Sequence, residues 1–407
     1  MPVSNIDDRK SITHIERSAF GTALGAFGVV AVIGIFALLL HFLAVNSPNI
    51  GLLTSENWAS KTLESPLAAV RWFFGDMTEA QFYKSDIASF GLLAGAVLAW
   101  LGASKNKRWS GAPISYGSGL WPWVLAASSL SLLISNLSFG WALSDGWQPT
   151  FVPFVCVATG LVLIYGGGWK VCITAAVLGA VTTTPLAMVL IALVTTPLGI
   201  PVVVANVLAM SIGAIISFLI VRLLPWFSIP VFTSAQEPTA HKLPEPSKRN
   251  DVLWAARRVL QDFTEAQFYA NEWASIGVIL GVSIAFVLNP ALPGYGSKLI
   301  PHLIFAQALT SAIGIVIWRK WYRNGGWAGS YISLVSVTPA AVLAYNGSLV
   351  SIVAGALLGA IVAPPIGRTL SSWLPSDFHP FIGNTFSMAI STTIIVPIVG
   401  LANSMIG

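Results

Sequence analysis

The sequence predicts an all-α polytopic membrane protein with about eleven transmembrane helices. Hydrophobic residues make up 55% of the 407 residues and charged residues only 9%, whereas a typical soluble domain is about 25% charged. Eleven apolar segments come close to the ~20 residues that a helix needs to cross a bilayer. A polar octapeptide, DMTEAQFY at 76–83, returns as DFTEAQFY at 262–269. These observations predict one extra N-terminal helix and then two inverted repeats of five spans each, with broken or kinked fourth helices.

The apolar segments define the spans and the organisation of the chain. The predicted spans are 20–45, 86–103, 120–142, 151–167, 171–196, 201–224, 274–290, 299–318, 328–346, 348–366 and 380–403. Those at 151–167 and 348–366 are short, so each also fits a re-entrant hairpin. The predicted regions are a cytoplasmic N-terminus (1–19), an extra helix with an outer loop (20–65), a first repeat with a leading amphipathic helix (66–225), a flexible cytoplasmic linker (226–251) and a second repeat (252–407).

The placement of lysine and arginine predicts which side of the membrane each loop faces. With a cytoplasmic N-terminus, 17 of the 21 basic residues fall in cytoplasmic segments, as the positive-inside rule requires. The sequence therefore predicts a multi-pass protein of the cell membrane, in a bacterium the cytoplasmic membrane, with its C-terminus outside. The same rule accounts for the net charge of +5, so no nucleic-acid partner is expected.

The two halves of the chain align, and their span count makes the repeat an inverted one. The octapeptides lie 186 residues apart, and a shift of 178 still places Asn206 opposite Asn384. Each half has five spans. Because five is odd, the second copy enters the membrane from the opposite face. Inverted-topology repeats are characteristic of secondary transporters, since two exchangeable halves can open one shared cavity to either side.

The predicted function is therefore a secondary active transporter and not an enzyme. Apart from Asp86, the first residue of one span, no Asp or Glu falls within a span if the octapeptides lie at the interface, which argues against a cationic substrate held by an embedded carboxylate. A small neutral polar or anionic solute is expected, with Na⁺ as the candidate coupling ion. The expected partners are this solute, the bilayer and a second copy in a homodimer. Two alternatives stay open: an integral-membrane enzyme acting on a lipid-linked or acyl substrate, and a permease subunit energised by partner proteins.

No cofactor or metal site is predicted. The five histidines and the two cysteines, Cys156 and Cys172, show no metal-ligand spacing.

The fourth span of each half carries a proline signal. Pro185 in the first half, and Pro364 and Pro365 in the second, fall inside long apolar segments. A proline inside a helix frees a carbonyl, and matching breaks in both halves are typical of a midplane binding site. The alternative is an ordinary kink filled by hydroxyls. The predicted ligands at this position are Thr182, Thr183 and Thr184.

The octapeptide has two interpretations. Asp76 and Glu79 have the spacing of a capping box, which would start a helix at the interface. Alternatively, Glu79 and Tyr83 share one helix face, and the segment dips into the protein with Glu79 and Glu265 as outer and inner gates. In this second interpretation the candidate binding residues are Glu79, Gln81, Tyr83, Glu265, Gln267 and Tyr269.

Three further polar residues lie within predicted spans. Asn206 and Asn384 occupy equivalent positions in the fifth spans, where an amide either joins helices or binds substrate. His302 is the histidine deep within a second-half span. It is either a structural residue or a contributor to the binding site.

Overall fold

The computed structural model describes residues 5–45, 53–145, 148–227, 251–323 and 329–406, and these ranges contain helices and turns but no strand. The helices of the first half are α1 Asn5–Val45, α2 Ser55–Glu64, α3 Pro66–Asp76, α4 Asp86–Ser104, α5 Trp121–Phe139, α6 Val157–Tyr165, α7 Trp169–Leu190, α8 Thr196–Leu198 and α9 Val203–Val221. Those of the second half are α10 Asp251–Asp262, α11 Glu272–Leu288, α12 Ile300–Ile317, α13 Arg319–Arg323, α14 Tyr331–Leu334, α15 Val337–Ala344, α16 Leu349–Ser372 and α17 Phe381–Ile406. Most of the predicted linker, 228–250, lies outside the described residues.

Eight of the described helices are long and apolar enough to cross a membrane, so the chain is a polytopic membrane protein. They are Ala19–Val45, Asp86–Ser104, Trp121–Leu143, Trp169–Leu198, Val203–Val221, Ile300–Ile317, Leu349–Ser372 and Phe381–Ile406. The other three predicted spans fall on shorter apolar helices, Val152–Tyr165, Glu272–Leu288 and Tyr331–Ala344. The count of eleven full spans stays a prediction. The expectation that 348–366 is short is wrong, because α16 has 24 residues.

The predicted breaks at the fourth-span prolines are also wrong. Helix α7 continues through Pro185, and α16 continues through Pro364 and Pro365. One missing N–H donor is tolerated in a helix that packs against protein on several sides. Helix α7 departs from α-helical geometry only later, in a π-helical turn at Ile191–Thr195.

Helices α4 and α11 pack against each other in antiparallel directions at the middle of the molecule. A Cβ placed on Gly91 would lie 2.1 Å from the carbonyl oxygen of Gly277, and a Cβ on Gly277 would lie 2.1 Å from the carbonyl oxygen of Gly91. Four residues further along α4, a Cβ on Gly95 would meet the carbonyl oxygen of Trp273 at 2.2 Å. Residue numbers therefore rise along one helix as they fall along the other. Only glycine permits this backbone approach.

The N-terminal helix belongs spatially to the second half of the chain. Helix α1 packs along α10 and α12, and a Cβ on Gly25 would collide with the backbone of Val252. A second pair of long helices joins the halves: α9 of the first half packs against α17 of the second. The cavity described below lies beside this α9–α17 contact.

Candidate functional site: two buried carboxylate loops and a cavity

Each octapeptide forms a tight turn between two helices, and we call these turns the first (76–85) and second (262–271) carboxylate loops. Helix α3 ends at Asp76 and α10 ends at Asp262. Both loops then adopt left-handed backbone conformations at the same two places, Phe82 and Lys84 in the first loop and Phe268 and Ala270 in the second. Non-glycine residues rarely adopt this conformation, so its recurrence shows that the two loops share one backbone geometry.

Neither part of the capping-box interpretation holds. Asp76 ends a helix instead of beginning one, and the loops do not lie at an exposed interface. Asp76 and Asp262 are fully buried, and Glu79 and Glu265 are 2% exposed. The premise that the octapeptides lie at an exposed interface is therefore wrong. Buried carboxylates are stable only with charged and hydrogen-bonded partners.

The predicted one-face cluster of Glu79, Gln81 and Tyr83 is also wrong. Only a short 3₁₀ turn forms at Glu79–Gln81, and the left-handed Phe82 redirects the chain. The Tyr83 hydroxyl consequently donates to Gln307 Oε1 at 2.8 Å, far from the partners of Glu79. Tyr269 is fully buried against Trp121.

Two buried cations hold the carboxylates, one in each half. In the first loop, Lys84 Nζ contacts Asp76 Oδ1 and lies 3.3 Å from Glu79 Oε2. In the second loop, Arg258 NH2 lies 2.7 Å from Asp262 Oδ1 and 2.8 Å from Glu265 Oε2.

The cations occupy non-equivalent positions. A shift of 186 places Arg258 opposite Trp72, and Lys84 opposite Ala270. The Lys84 ammonium lies 3.6 Å from the centre of the Trp72 ring. The two pairs of acids are therefore neutralised from opposite sides in the sequence: Arg258 precedes its acids, and Lys84 follows its acids.

The two loops are joined by their equivalent glutamines. Gln81 Nε2 donates to Gln267 Oε1 at 2.7 Å, and Gln267 Nε2 donates to Gln81 Oε1 at 2.8 Å. Gln81 also donates to the Phe263 carbonyl and Gln267 to the Met77 carbonyl. Both glutamines are fully buried. Their amides are therefore used in a cross-link between the halves.

Each buried glutamate accepts a hydrogen bond from a tyrosine that sequence reasoning missed. The Tyr295 hydroxyl donates to Glu79 Oε1 at 2.7 Å, and the Tyr116 hydroxyl donates to Glu265 Oε1 at 3.0 Å. Both tyrosines have left-handed backbones, in the turns Pro293–Gly296 and Ile114–Gly117. The sequence carried a signal for them, a Tyr-Gly pair that recurs after 179 residues.

A cavity of about 770 Å³ lies between the two halves and is partly open to the surface. Its apolar wall includes Phe82, Phe151, Val155, Met210, Phe268, Phe381 and Met388. Its polar residues are Glu79, Asn206, Tyr295, Tyr331, Tyr345 and Thr385. The wall is therefore mostly apolar, with polar groups at a few points, as in small-molecule sites generally.

Two of the predicted site residues, Glu79 and Asn206, line this cavity. The others lie apart from its described wall: Gln81, Tyr83, Glu265, Gln267, Tyr269, Thr182, Thr183, Thr184, Asn384 and His302.

Several of these other residues make local contacts instead. Thr182 and Thr183 donate to carbonyls one turn earlier in α7, and the Thr184 hydroxyl pairs with Ser135 at 2.8 Å. The Asn384 amide donates to the Tyr331 hydroxyl at 3.4 Å.

His302 packs outside the cavity, against the N-terminal helix. Its ring lies edge to face with that of His41, with the centroids 6.2 Å apart. It therefore bridges α12 and α1.

The two ends of the cavity differ. At one end, which we call the open end because its wall includes the exposed Val202 and Ala344, lie Ile200, Tyr345 and Val396. A shift of 178 residues places Ile200 opposite Phe378 and Val396 opposite Phe218, and a shift of 180 places Tyr345 opposite Tyr165.

The equivalent residues lie outside the described cavity wall, in aromatic contacts that we call the sealed end. The rings of Phe218 and Phe378 have centroids 5.1 Å apart, and those of Tyr165 and Phe227 are 5.0 Å apart. Arg222 and Asp377 form a two-point ion pair beside them, at 2.6 and 2.8 Å.

Burial changes the proton affinities of groups around the cavity. It raises the pKa of Glu79 above its ordinary value, and the nearby Lys84 charge opposes this only in part. Burial, together with the Glu79 charge, raises the pKa of Tyr295 well above its usual range, so the phenol keeps its proton and donates. At the sealed end, burial lowers the pKa of His379 to about 4, so this ring is neutral at physiological pH.

Comparison of the chain with protein-family models, with curated proteins and with solved structures gives no match in any of the three. Within the described ranges, no group of three His, Cys, Asp or Glu side chains is placed to hold a metal ion.

Proposed function

We propose that the chain is a secondary active transporter that works by alternating access. In this proposal one extra N-terminal helix precedes two inverted repeats of five spans, and the cavity between the repeats binds a small molecule. The protein lies in the cell membrane with its N-terminus in the cytoplasm, as the distribution of basic residues favours.

The observation that carries the proposal is that equivalent residues touch each other. Gly91 meets Gly277, and Gln81 meets Gln267, and both pairs are 186 residues apart. A residue can contact its own equivalent in this reciprocal way only beside a two-fold axis. Because α4 and α11 are antiparallel, that axis runs perpendicular to both helices. For membrane-spanning helices it then lies near the membrane plane, which supports an inverted repeat.

The unequal ends of the cavity support alternating access. The same aligned positions line the cavity at one end, as Ile200 and Tyr345, and pack outside its wall at the other, as Phe378 and Tyr165. If the two halves exchanged their conformations, the open end would close and the sealed end would open. Such a pair of states is close in energy when the halves share one fold.

Labelling of equivalent cysteines tests this proposal without knowledge of the substrate. Ala344 lines the open end, and Ile164 is its equivalent at the sealed end. In a background lacking Cys156 and Cys172, Ala344→Cys is expected to react with a membrane-impermeant maleimide from outside only. Ile164→Cys is expected to react from the cytoplasm only, and more slowly. Reaction of both positions from one side would overturn the inverted layout.

A further inference from the structure

Several polar groups of the cavity wall present hydrogen-bond acceptors. The Tyr295 hydroxyl donates its hydrogen to Glu79, and the Tyr345 hydroxyl donates to the Val396 carbonyl. The Asn206 side chain is 4% exposed, and its Oδ1 has no hydrogen-bond partner among the described residues. None of the described residues that line the cavity is Lys, Arg or His. A bound molecule that supplies donors or positive charge therefore matches these acceptors.

Among the described residues, acidic charges outnumber basic ones around Glu79. Asp76 faces Glu79 from α3, Lys84 from the first carboxylate loop and Tyr295 from the turn Pro293–Gly296. Two carboxylates thus share one ammonium, and that ammonium lies closer to Asp76 than to Glu79. With Glu79 ionised, the described charges of Asp76, Glu79 and Lys84 sum to −1 in a buried setting, and a proton or a cation would balance them.

Asp76 itself is well satisfied. Its Oδ2 accepts hydrogen bonds from Asn136 at 3.0 Å and from Thr150 at 2.8 Å, in addition to the Lys84 contact at Oδ1. Glu79 lies at the cavity wall and Asp76 does not. Glu79 is therefore the carboxylate at which a proton can be exchanged for another charge.

The second half lacks such a site. Arg258 lies almost equally close to Asp262 and Glu265, and Glu265 is not part of the described cavity wall. The asymmetry places the negative charge on one wall only.

The rest of the wall suits a bulky organic cation. The rings of Phe82, Phe151 and Phe268 line the cavity, and aromatic faces attract cations. Met210 and Met388 also line it, and methionine side chains adapt to ligands of different shapes. A volume of about 770 Å³ is within the range of drug-sized ligand sites.

We propose that this cavity binds an organic cation with aromatic or aliphatic bulk, and that the cation and a proton are alternative counter-charges for Glu79. The inference rests on the transport function proposed above. When the cation arrives, the O–H bond of protonated Glu79 breaks, the proton leaves through the open end to water, and the carboxylate pairs with the cation. One proton is exchanged for one positive charge. Carried through alternating access, this exchange makes the protein a proton–cation antiporter. It replaces the anionic or neutral solute expected from the sequence.

Binding of tetraphenylphosphonium to the protein in lipid nanodiscs tests the inference directly, with empty nanodiscs subtracted. At pH values below the pKa of Glu79, the affinity for the cation is expected to increase about tenfold for each unit by which the pH is raised. Above this pKa the affinity is expected to stay constant. In weakly buffered solution, about one proton is released for each cation bound in that lower range. The anion tetraphenylborate has the same shape, and its saturable binding is expected to be at least ~tenfold weaker.

Glu79→Gln keeps the size of the side chain but removes the exchangeable charge. This variant is expected to lose the pH dependence of tetraphenylphosphonium binding. Glu265→Gln, the matched change in the other loop, is expected to retain it, and thermal unfolding of both variants monitors their folding. Equal or tighter saturable binding of tetraphenylborate in the unmodified protein would overturn the inference without any variant, as would pH-dependent binding that survives in folded Glu79→Gln.

The two proposals fail in different ways. Cation binding with proton release, but no counterflow of tetraphenylphosphonium in proteoliposomes, would overturn the transport function and leave the site. Alternate labelling at Ala344→Cys and Ile164→Cys, without cation binding, would overturn the site and leave the transport function.

Discussion

The two carboxylate loops share seven of eight residues and one backbone geometry, but they differ in how charge is balanced. In the second loop, the Arg258 guanidinium precedes the loop and bridges both carboxylates at nearly equal distances. In the first, the Lys84 ammonium follows the acids and lies closer to one of them. A planar guanidinium can serve two carboxylates at once, whereas an ammonium is a compact point charge. Arg258 therefore bridges both acids of the second loop, whereas in the first loop Glu79 is held less closely by its cation than Asp76 is.

The largest expected effect comes from removing the cation of the second loop. Arg258→Ala leaves Asp262 and Glu265 buried without their shared partner, which costs about 3–5 kcal/mol in the free energy of unfolding. The neighbouring Arg257 is the control, because it pairs with Glu272 at a partly exposed position. Arg257→Ala is expected to cost about 0–1 kcal/mol. Thermal unfolding in detergent compares them, and equal losses would show that Arg258 is not a structural bridge.

The next effect tests the contact between α4 and α11. Gly91→Ala and Gly277→Ala each place a methyl group against the opposite backbone, and each is expected to destabilise the protein by about 1–3 kcal/mol. Gly28→Ala is the control, because a Cβ there meets nothing within 4 Å. Thermal unfolding again measures the change. Loss in one variant but not in its equivalent would contradict the reciprocal packing.

A smaller effect is expected at the glutamine pair. Gln81→Leu and Gln267→Leu each leave one buried amide without its partner. Each is expected to lower the free energy of unfolding by about 1–3 kcal/mol. The double variant removes both polar groups, so its loss is expected to be smaller than the sum of the two by about 1 kcal/mol. A double-mutant cycle in thermal unfolding measures this coupling. Simple additivity would mean that the two amides do not act as a pair.

The smallest expected effect is the pH dependence of stability. Burial raises the pKa of Glu79 above its value in the unfolded chain, so the folded protein binds this proton more tightly. Stability therefore rises as pH falls through the folded pKa and stops changing below the unfolded value. Asp262, whose pKa burial raises to about 6, adds a dependence of the same sign. As the pH is lowered from 8 to 4, the melting temperature is expected to rise less steeply in Glu79→Gln than in the unmodified protein. An equal slope in the two proteins would contradict the assignment to Glu79.

The composition and the lengths of the apolar segments predicted a membrane protein. The octapeptide predicted that two segments of the chain are related. The sequence did not predict the local geometry. The spacing of Asp76 and Glu79 fits a capping box, but the left-handed backbone at Phe82 and Lys84 depends on packing from the other half. Nor did it predict the cations, because Lys84 and Arg258 do not align with each other. Both cations lie within eight residues of their acids, and Arg258 and Asp262 have the i,i+4 spacing of a helical ion pair, but comparison of the two repeats marks neither cation.

The prolines gave a local signal for helix breaks that the structure does not contain. Pro185 weakens a helix locally, but α7 remains continuous because the surrounding helices support it. Tyr295, by contrast, was within reach of the sequence. Its Tyr-Gly pair recurs after 179 residues, close to the shift that relates the rest of the two halves.

Distances between spin labels at the two ends of the cavity test the exchange of conformations most directly. Labels at Leu198 and Ala344 report the open end, and labels at the equivalent positions Ser376 and Ile164 report the sealed end. Arg222→Ala removes the ion pair beside the sealed end. Double electron–electron resonance in nanodiscs then measures the distance within each pair of spin labels. If the halves exchange conformations, the Ser376–Ile164 distance lengthens in the same fraction of molecules in which the Leu198–Ala344 distance shortens. Lengthening at the sealed end with an unchanged open end would contradict alternating access.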